Sequence, residues 1–314
     1  MFFPYFRGRQ YELLALKELA QKGLISKYVI PVVEPIKISP TLKNTIQAFE
    51  KADLNLAMIL NPAVGDFADS DASSLVEIKK DSKNIIPAVI FNESAEETFN
   101  NLEELEIEKN TVLSVLNNPD YVDYFKEIYS DDDPAYVLLP DERRMRRAVK
   151  ENKVLFEDKF NKQSKNSDYL KCEDEPFSED HLFFRDEGYK GFGDYSIVGD
   201  NYEEGGFSPR AVAIHIVYLS DDNELRIHHF VSDSNYDITD VAGKFGEAVK
   251  KLLDWYNKGH QERQITSALS TLLDYANKGY YPGLPTIKKL SIMHHLELIN
   301  KYLITEVYQD EMLH

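Results

Sequence analysis

Cysteine is almost absent: Cys172 stands alone in 314 residues, so neither an intrachain disulfide nor a thiolate-rich metal site can form. Its neighbours Glu173, Asp174 and Glu175 disfavour the thiolate and mark it as an inert thiol. Long hydrophobic runs are also missing. No stretch of about 18 apolar residues occurs, so no membrane-spanning helix and no membrane partner is expected. The opening Met1-Phe2-Phe3-Pro4-Tyr5-Phe6-Arg7 is aromatic, broken by proline and without a small-residue cleavage site, so it does not read as a signal peptide. The cytoplasm is the expected compartment. Positive charge is scarce, with 36 Lys and Arg against 54 Asp and Glu, a net charge of −18. A field of that sign repels phosphate backbones and argues against generic nucleic-acid binding. No glycine-rich phosphate loop, nucleophile elbow, zincin motif or CxxC pair is present, which removes the commonest enzyme signatures.

What the chain does have is a repeated order of elements. Short apolar runs without alternation fall at 28–33, 55–60, 85–91, 111–116, 135–139 and 153–156. Such runs suit strands buried on both faces. Between them, 9–21, 41–52, 96–105 and 120–129 have the spacing of helices. Strand and helix in alternation imply a parallel sheet with right-handed crossovers. So many units in so short a length, with no dinucleotide loop, favour a TIM-like (β/α) barrel over a doubly wound sheet. After residue 160 the pattern changes. Residues 161–190 read as polar loop, Asp194 to Val198 as a short strand, and Ala211–Leu219 with Leu225–Val231 as an antiparallel hairpin. Helices are expected at 240–258, 264–278 and 286–303. The predicted organisation is α/β: a barrel-like domain over 1–235 with irregular late strands, and a helical region over 236–314 capping it.

In a parallel barrel, functional groups sit at the carboxyl ends of the strands. Those ends carry Glu34, Asn61, Asn92, Asn117, Asp158 with Lys159, and Asp194. Oxygen-rich sets of this kind suit a hard cation such as Mg²⁺ or Mn²⁺, held by Glu34, Asp158 and Asp194, or a polyhydroxylated or phosphorylated ligand. The plainer reading is that each Asn starts a turn, and that each buried carboxylate is paired. Arg7 and Arg9 precede the first helix and could bind an anion or pair with the chain's own carboxylates. The run Arg143-Arg144-Met145-Arg146-Arg147 is flanked by Asp141 and Glu142, and local compensation is expected there. His228 and His229 point to opposite faces of a strand and so do not form a chelating pair. His294 and His295 lie about 100° apart on a helix, again poor geometry for chelation.

Three stretches, Tyr5-Phe6-Arg7-Gly8-Arg9-Gln10-Tyr11-Glu12-Leu13-Leu14-Ala15-Leu16, then Ile30-Pro31-Val32-Val33-Glu34-Pro35, then Gly191-Phe192-Gly193-Asp194-Tyr195 before a hairpin, resemble the phage "beta protein" family of phages and bacterial genomes. The resemblance covers residues 1 to about 231. It implies a barrel-like body, a role in phage–host conflict and a small nuclease-like protein as partner. By position, Arg7, Arg9, Glu34, Asp194 and Tyr195 match the family's motifs. Where an Arg-Trp type motif is expected, the chain has Phe183-Phe184-Arg185-Asp186, which makes Arg185 the corresponding residue.

Three functions follow as expectations, and they leave open whether the protein is an enzyme. One is an accessory or immunity-like component of an anti-phage system, its acidic surface meeting a basic nuclease-like partner. Another is a metal-dependent phosphodiesterase or related hydrolase, with Glu34, Asp158 and Asp194 on the cation and Lys159 or Arg7 stabilising developing charge. The third is a sensor that binds a nucleotide or phosphorylated ligand without turning it over.

Overall fold

The structure is a computed structural model that describes residues 1–68, 72–203, 205, 209–259 and 265–313, with side chains to 306. The chain divides into two compact units, Met1–Asp158 with Asp180–Tyr195, and Lys159–Glu179 with Ser196–His314.

The first unit is a barrel-like parallel sheet. Its strands are β1 (Tyr5–Phe6), β2 (Val32–Val33), β3 (Leu56–Ile59), β4 (Ile85–Ile90), β5 (Leu113–Val115), β6 (Tyr136–Leu139), β7 (Lys153–Phe156) and β9 (Gly191–Gly193), hydrogen-bonded in that order. Helices α1 (Gln10–Gln21), α2 (Pro40–Ala52), α3 (Ser73–Lys80), α4 (Ala95–Glu104), α5 (Val122–Ile128) and α6 (Arg143–Ala148) fill the crossovers, with the short α7 (Asp180–Phe183) before β9. The helices start where local chemistry allows. Ser39 caps α2 by accepting from Leu42 N–H at 3.1 Å, and Pro40 follows at the first helical position, where its missing N–H costs nothing. Leu42, Ile46 and Phe49 then share the buried face of that helix.

Side chains two apart on successive strands build the interior: Tyr5, Val32, Ala57, Ile59, Ala88, Ile90, Leu113, Val115, Leu138, Val154 and Phe156, all at most 8% exposed. Strands buried on both faces explain why the apolar runs lack alternation. The first and last strands meet: Phe3 N–H donates to Phe192 O at 2.9 Å, Tyr5 N–H to Asp194 O at 2.8 Å, and Phe192 N–H to Met1 O at 3.0 Å. That approach requires glycine. A Cβ on Gly191 would lie 2.6 Å from Met1 O, and one on Gly193 would collide with Phe3 O. For this reason the closing strand is Gly191–Gly193, three residues ahead of the expected 194–198. The two-residue β1 was also not expected from the aromatic opening of the chain.

The second unit holds a three-stranded antiparallel sheet in the order β10 (Ala213–Leu219), β11 (Leu225–Val231), β8 (Asp174–Ser178). The hairpin expected at 211–231 is present and turns at Asn223, whose positive φ of 62° an Asn tolerates. It groups with the later helices rather than with residues 1–158, so the division does not follow residue 235. β8 lies in the stretch read as polar loop. Helix α8 (Val241–Asn257) lies against one sheet face, where Trp255 meets Tyr218, His228 and Phe230 with ring centroids 5.1–5.6 Å apart. The other face meets α10 (Leu284–Leu313), with Phe177 edge-on to His295 at 5.3 Å. Helix α9 (Ser267–Lys278) completes the unit; the expected start at Gln264 lies outside the described residues. Among the described residues no helix is long and apolar enough to cross a membrane.

Candidate functional site

Continuing each barrel strand two residues past its inward apolar position gives the next layer on the same face. From β1 to β9 that layer reads Arg7, Glu34, Asn61, Asn92, Asn117, Pro140, Asp158, Tyr195, so six of the eight positions are charged or amide side chains.

Glu34 anchors the layer. It is fully buried and accepts from Tyr5 O–H at 2.7 Å, from Ala63 N–H at 2.8 Å and from the Arg7 guanidinium. Arg7 also sits over the Tyr5 and Tyr195 rings, 5.3 and 5.6 Å from their centroids, a cation–π arrangement. Burial would favour loss of its proton, and the Glu34 carboxylate outweighs that, leaving Arg7 above its ordinary value. Burial, reinforced by Glu34, holds the Tyr5 hydroxyl protonated well above its usual range. These contacts tie Glu34, Arg7 and the two tyrosines into one charged cluster.

Two of the three asparagines serve the backbone. Asn61 Oδ1 accepts from Ile90 N–H at 2.9 Å while its Nδ2 donates to Ile90 O at 2.7 Å and to Asn92 Oδ1 at 3.0 Å, so its amide extends the β3–β4 ladder by one peptide equivalent. Asn92 Oδ1 also accepts from Ser94 N–H and Oγ, the turn-starting role expected of an Asn there. Asn117 is exposed and makes no hydrogen bond among the described residues. Beside this layer lies a cavity of about 700 Å³ over the ends of β3, β4 and β5. Asn61, Asn92, Asn101, Asn117 and Asn118 line it, with Ser73, Ser94 and Thr98 and the aromatic residues Phe67, Phe91 and Tyr121. Its charged lining residues are Glu93 and Glu97, and none of the described ones is basic. Asn101 was not picked out from the sequence. It sits one helical turn after Glu97 on α4, a position strand-end reading does not reach.

The other expected residues spread out. Asp158 is exposed, Asp194 is buried, and Lys159 belongs to the second unit. Among the described residues no three His, Cys, Asp or Glu side chains are placed to hold a metal ion, and the carboxylate of Glu34 is already engaged as above. Arg9 supplies the backbone N–H that Glu12 Oε2 accepts at 3.1 Å at the start of α1. Arg185 is exposed over Phe184 and close enough to the Met1 amino group to lower its pKa, burial being the larger cause; that is the amino end of the strands, opposite Glu34. Arg144 and Arg146 pair with Asp123 and Asp141 at 3.4 and 2.8 Å, the compensation expected of the arginine run. The Cys172 thiol is raised, by burial first and then by Glu175 and Asp168.

In the second unit Asp174 gathers Tyr218 O–H at 2.8 Å, Arg226 Nε at 2.8 Å and His228 Nδ1 at 3.0 Å. Burial would raise this carboxyl, and those hydrogen bonds together hold it low. His228 and His229 face opposite ways, as strand alternation requires. His294 and His295 are also separate: His294 bonds Thr266 and Val217 O, both at 2.8 Å, and His295 bonds Ser196 at 3.0 Å.

No protein-family model and no curated protein matches this chain.

Proposed function

We propose that the protein is a sensor that binds a small, uncharged, hydrogen-bonding ligand of nucleoside or sugar type at the carboxyl end of its barrel. The observation that carries this reading is the cavity of about 700 Å³, whose lining combines the amide of Asn117, without a hydrogen bond among the described residues, with the aromatic residues Phe67 and Tyr121 and no basic residue among the described lining. Amides pair with the edges of bases and with sugar hydroxyls, and aromatic faces take their flat or apolar sides. A phosphate would meet Glu93 and Glu97 without a compensating cation among the described lining, so the cavity favours the base or sugar over its phosphorylated form. The biological setting we propose is phage–host conflict, in which the chain acts as an accessory component beside a nuclease-like partner. Support for that setting comes from the resemblance across residues 1–231 and from the net charge of −18, which suits a basic partner.

The test is thermal unfolding of the full chain with millimolar nucleosides and monosaccharides, each beside its phosphate. A ligand bound only to the folded state at about a hundred times its Kd adds roughly 2.7 kcal/mol. The expected result is stabilisation by an unphosphorylated ligand, weaker with its phosphate and lost in Asn117→Ala. A panel with no stabilising member, or a ligand that stabilises Asn117→Ala equally, sinks the proposal.

A further inference from the structure

A second polar arrangement lies wholly within the antiparallel unit and is independent of the barrel. The β10–β11 register places His215 opposite His229. Their Nδ1 atoms stand 2.7 Å apart, and His229 Nε2 stands 3.1 Å from Glu175 Oε1 on β8. This three-member chain has a direction. A carboxylate accepts, so the His229 Nε2 bears its hydrogen. A neutral imidazole carries one N–H, so His229 Nδ1 is a bare lone pair and His215 Nδ1 is the donor. His215 Nε2 is therefore left unprotonated, and the ring makes no other hydrogen bond among the described residues.

Two features keep the rings neutral. At 2.7 Å only one hydrogen fits between the two Nδ1 atoms, so the pair cannot be doubly charged. Burial is the main cause that lowers both imidazoles, aided at His215 by His229 and then Lys288, and opposed at His229 by Glu175. Tyr169 packs on both rings, with centroids 4.7 and 4.4 Å away, and fixes their planes.

His215 lines a cavity of about 260 Å³ whose described lining includes Lys162, Lys288, Asn166, Gln163 and Ser291 and no carboxylate. In a chain of net charge −18, a cavity lined by two lysines, amides and a hydroxyl is the reverse of the surface average. Lys162 also lies 3.7 Å from Glu203. We propose that this cavity binds a small oxyanion bearing an exchangeable proton, a phosphate or phosphate monoester, whose proton His215 Nε2 accepts while Lys288 faces its charge. When the ligand's O–H proton moves to His215 Nε2, the His215 Nδ1 proton passes to His229 Nδ1 and the His229 Nε2 proton to Glu175. Both rings end neutral in the opposite tautomer, Glu175 is protonated, and the ligand holds one more negative charge. The added charge sits on the ligand, and no imidazolium remains buried.

The probe is inorganic phosphate at pH 7 with the full chain, read by long-range ¹H–¹⁵N NMR of the histidine rings and by calorimetry. The expected result is a His215 Nδ1–H tautomer in the free protein, saturable phosphate binding that perturbs the His215 and His229 nitrogens, and affinity about tenfold weaker in Lys288→Met, the loss of one charge-assisted hydrogen bond. Lys288→Met changes a cavity-edge side chain, so it reads the site even if His215→Asn fails to fold. A His215 Nε2–H tautomer in the free protein overturns the relay. Absence of saturable phosphate binding, or binding that Lys288→Met leaves unchanged, overturns the site.

Discussion

The barrel and the antiparallel unit both bury polar groups, but in different protonation states. In the barrel the buried group is a charged pair, with Glu34 clasped by Arg7 and Tyr5, next to a cavity lined by amides and two glutamates. In the antiparallel unit it is the imidazoles of His215, His229 and His294, lowered by burial and each hydrogen-bonded to a neighbour, next to a cavity lined by lysines. Of the six described histidines, five fall in that second unit and only His181 in the first. The Glu34 carboxylate is held by direct hydrogen bonds from Tyr5, Ala63 and Arg7, whereas a histidine whose pKa burial has lowered stays neutral only where protons are scarce. The two units should therefore respond differently to loss of a carboxylate and to acid.

The largest effect expected is at Glu34. Glu34→Gln leaves Arg7 charged and half-enclosed, and breaking a buried pair costs about 3–5 kcal/mol. The matched Glu175→Gln, which removes one hydrogen bond to a neutral ring, should cost about 1 kcal/mol. Urea denaturation of the two variants checks this, and equal losses would erase the contrast. Acid comes next. Burial lowers His294 to about 4, so the folded state keeps it neutral while the unfolded chain protonates it near 6.5. Stability is thus fully present above 6.5 and falls as pH drops towards 4, by roughly 3 kcal/mol from this residue alone. Hydrogen exchange at pH 7 and pH 5 should show protection falling in β10, β11 and α10 while β3 to β5 hold. Loss confined to the barrel would reverse the assignment. Third, Gly193→Ala should destabilise by about 1–3 kcal/mol, because its Cβ meets the Phe3 carbonyl where the barrel closes. Smallest is Asn117→Ala, an exposed amide without hydrogen-bond partners among the described residues, whose effect on stability should stay within about 0.5 kcal/mol while the proposed ligand binding is expected to be lost.

The contrast also explains what could be read in advance. Parallel strands buried on both faces announce themselves as apolar runs, so six of the eight barrel strands and the polar residues at their ends were legible. Their roles were not. Whether a strand-end Asn extends a ladder like Asn61, starts a turn like Asn92 or stays available like Asn117 depends on the neighbouring strand's backbone, which one sequence does not display. The closing strand was misplaced because β-propensity points at Tyr195, Ile197 and Val198, while closure needs the small residues Gly191 and Gly193. β8 was missed because Asp174, Glu175 and Pro176 give it the composition of a loop. The His215–His229 pair was within reach. The two residues are equidistant from Asp222 in the hairpin turn, and a symmetric register places them opposite one another. His215, taken singly, gave no reason to look.

The path of the chain between the units bears on biosynthesis. After β7 it departs to lay down β8, returns for β9, and departs again for β10 and β11. A nascent chain emerging from the ribosome therefore presents β8 well before β11, its strand partner among the described residues, has been made. An unpaired strand at that stage invites pairing with other chains. The strand reads Asp174-Glu175-Pro176-Phe177-Ser178, two carboxylates and a proline around a single aromatic residue. Those residues, which disguise it as a loop, are also gatekeepers: like charge repels a second copy, and Pro176 offers no N–H to a stray edge. Arg226 and the imidazoles of β11, arriving later, are the partners that donate to those carboxylates.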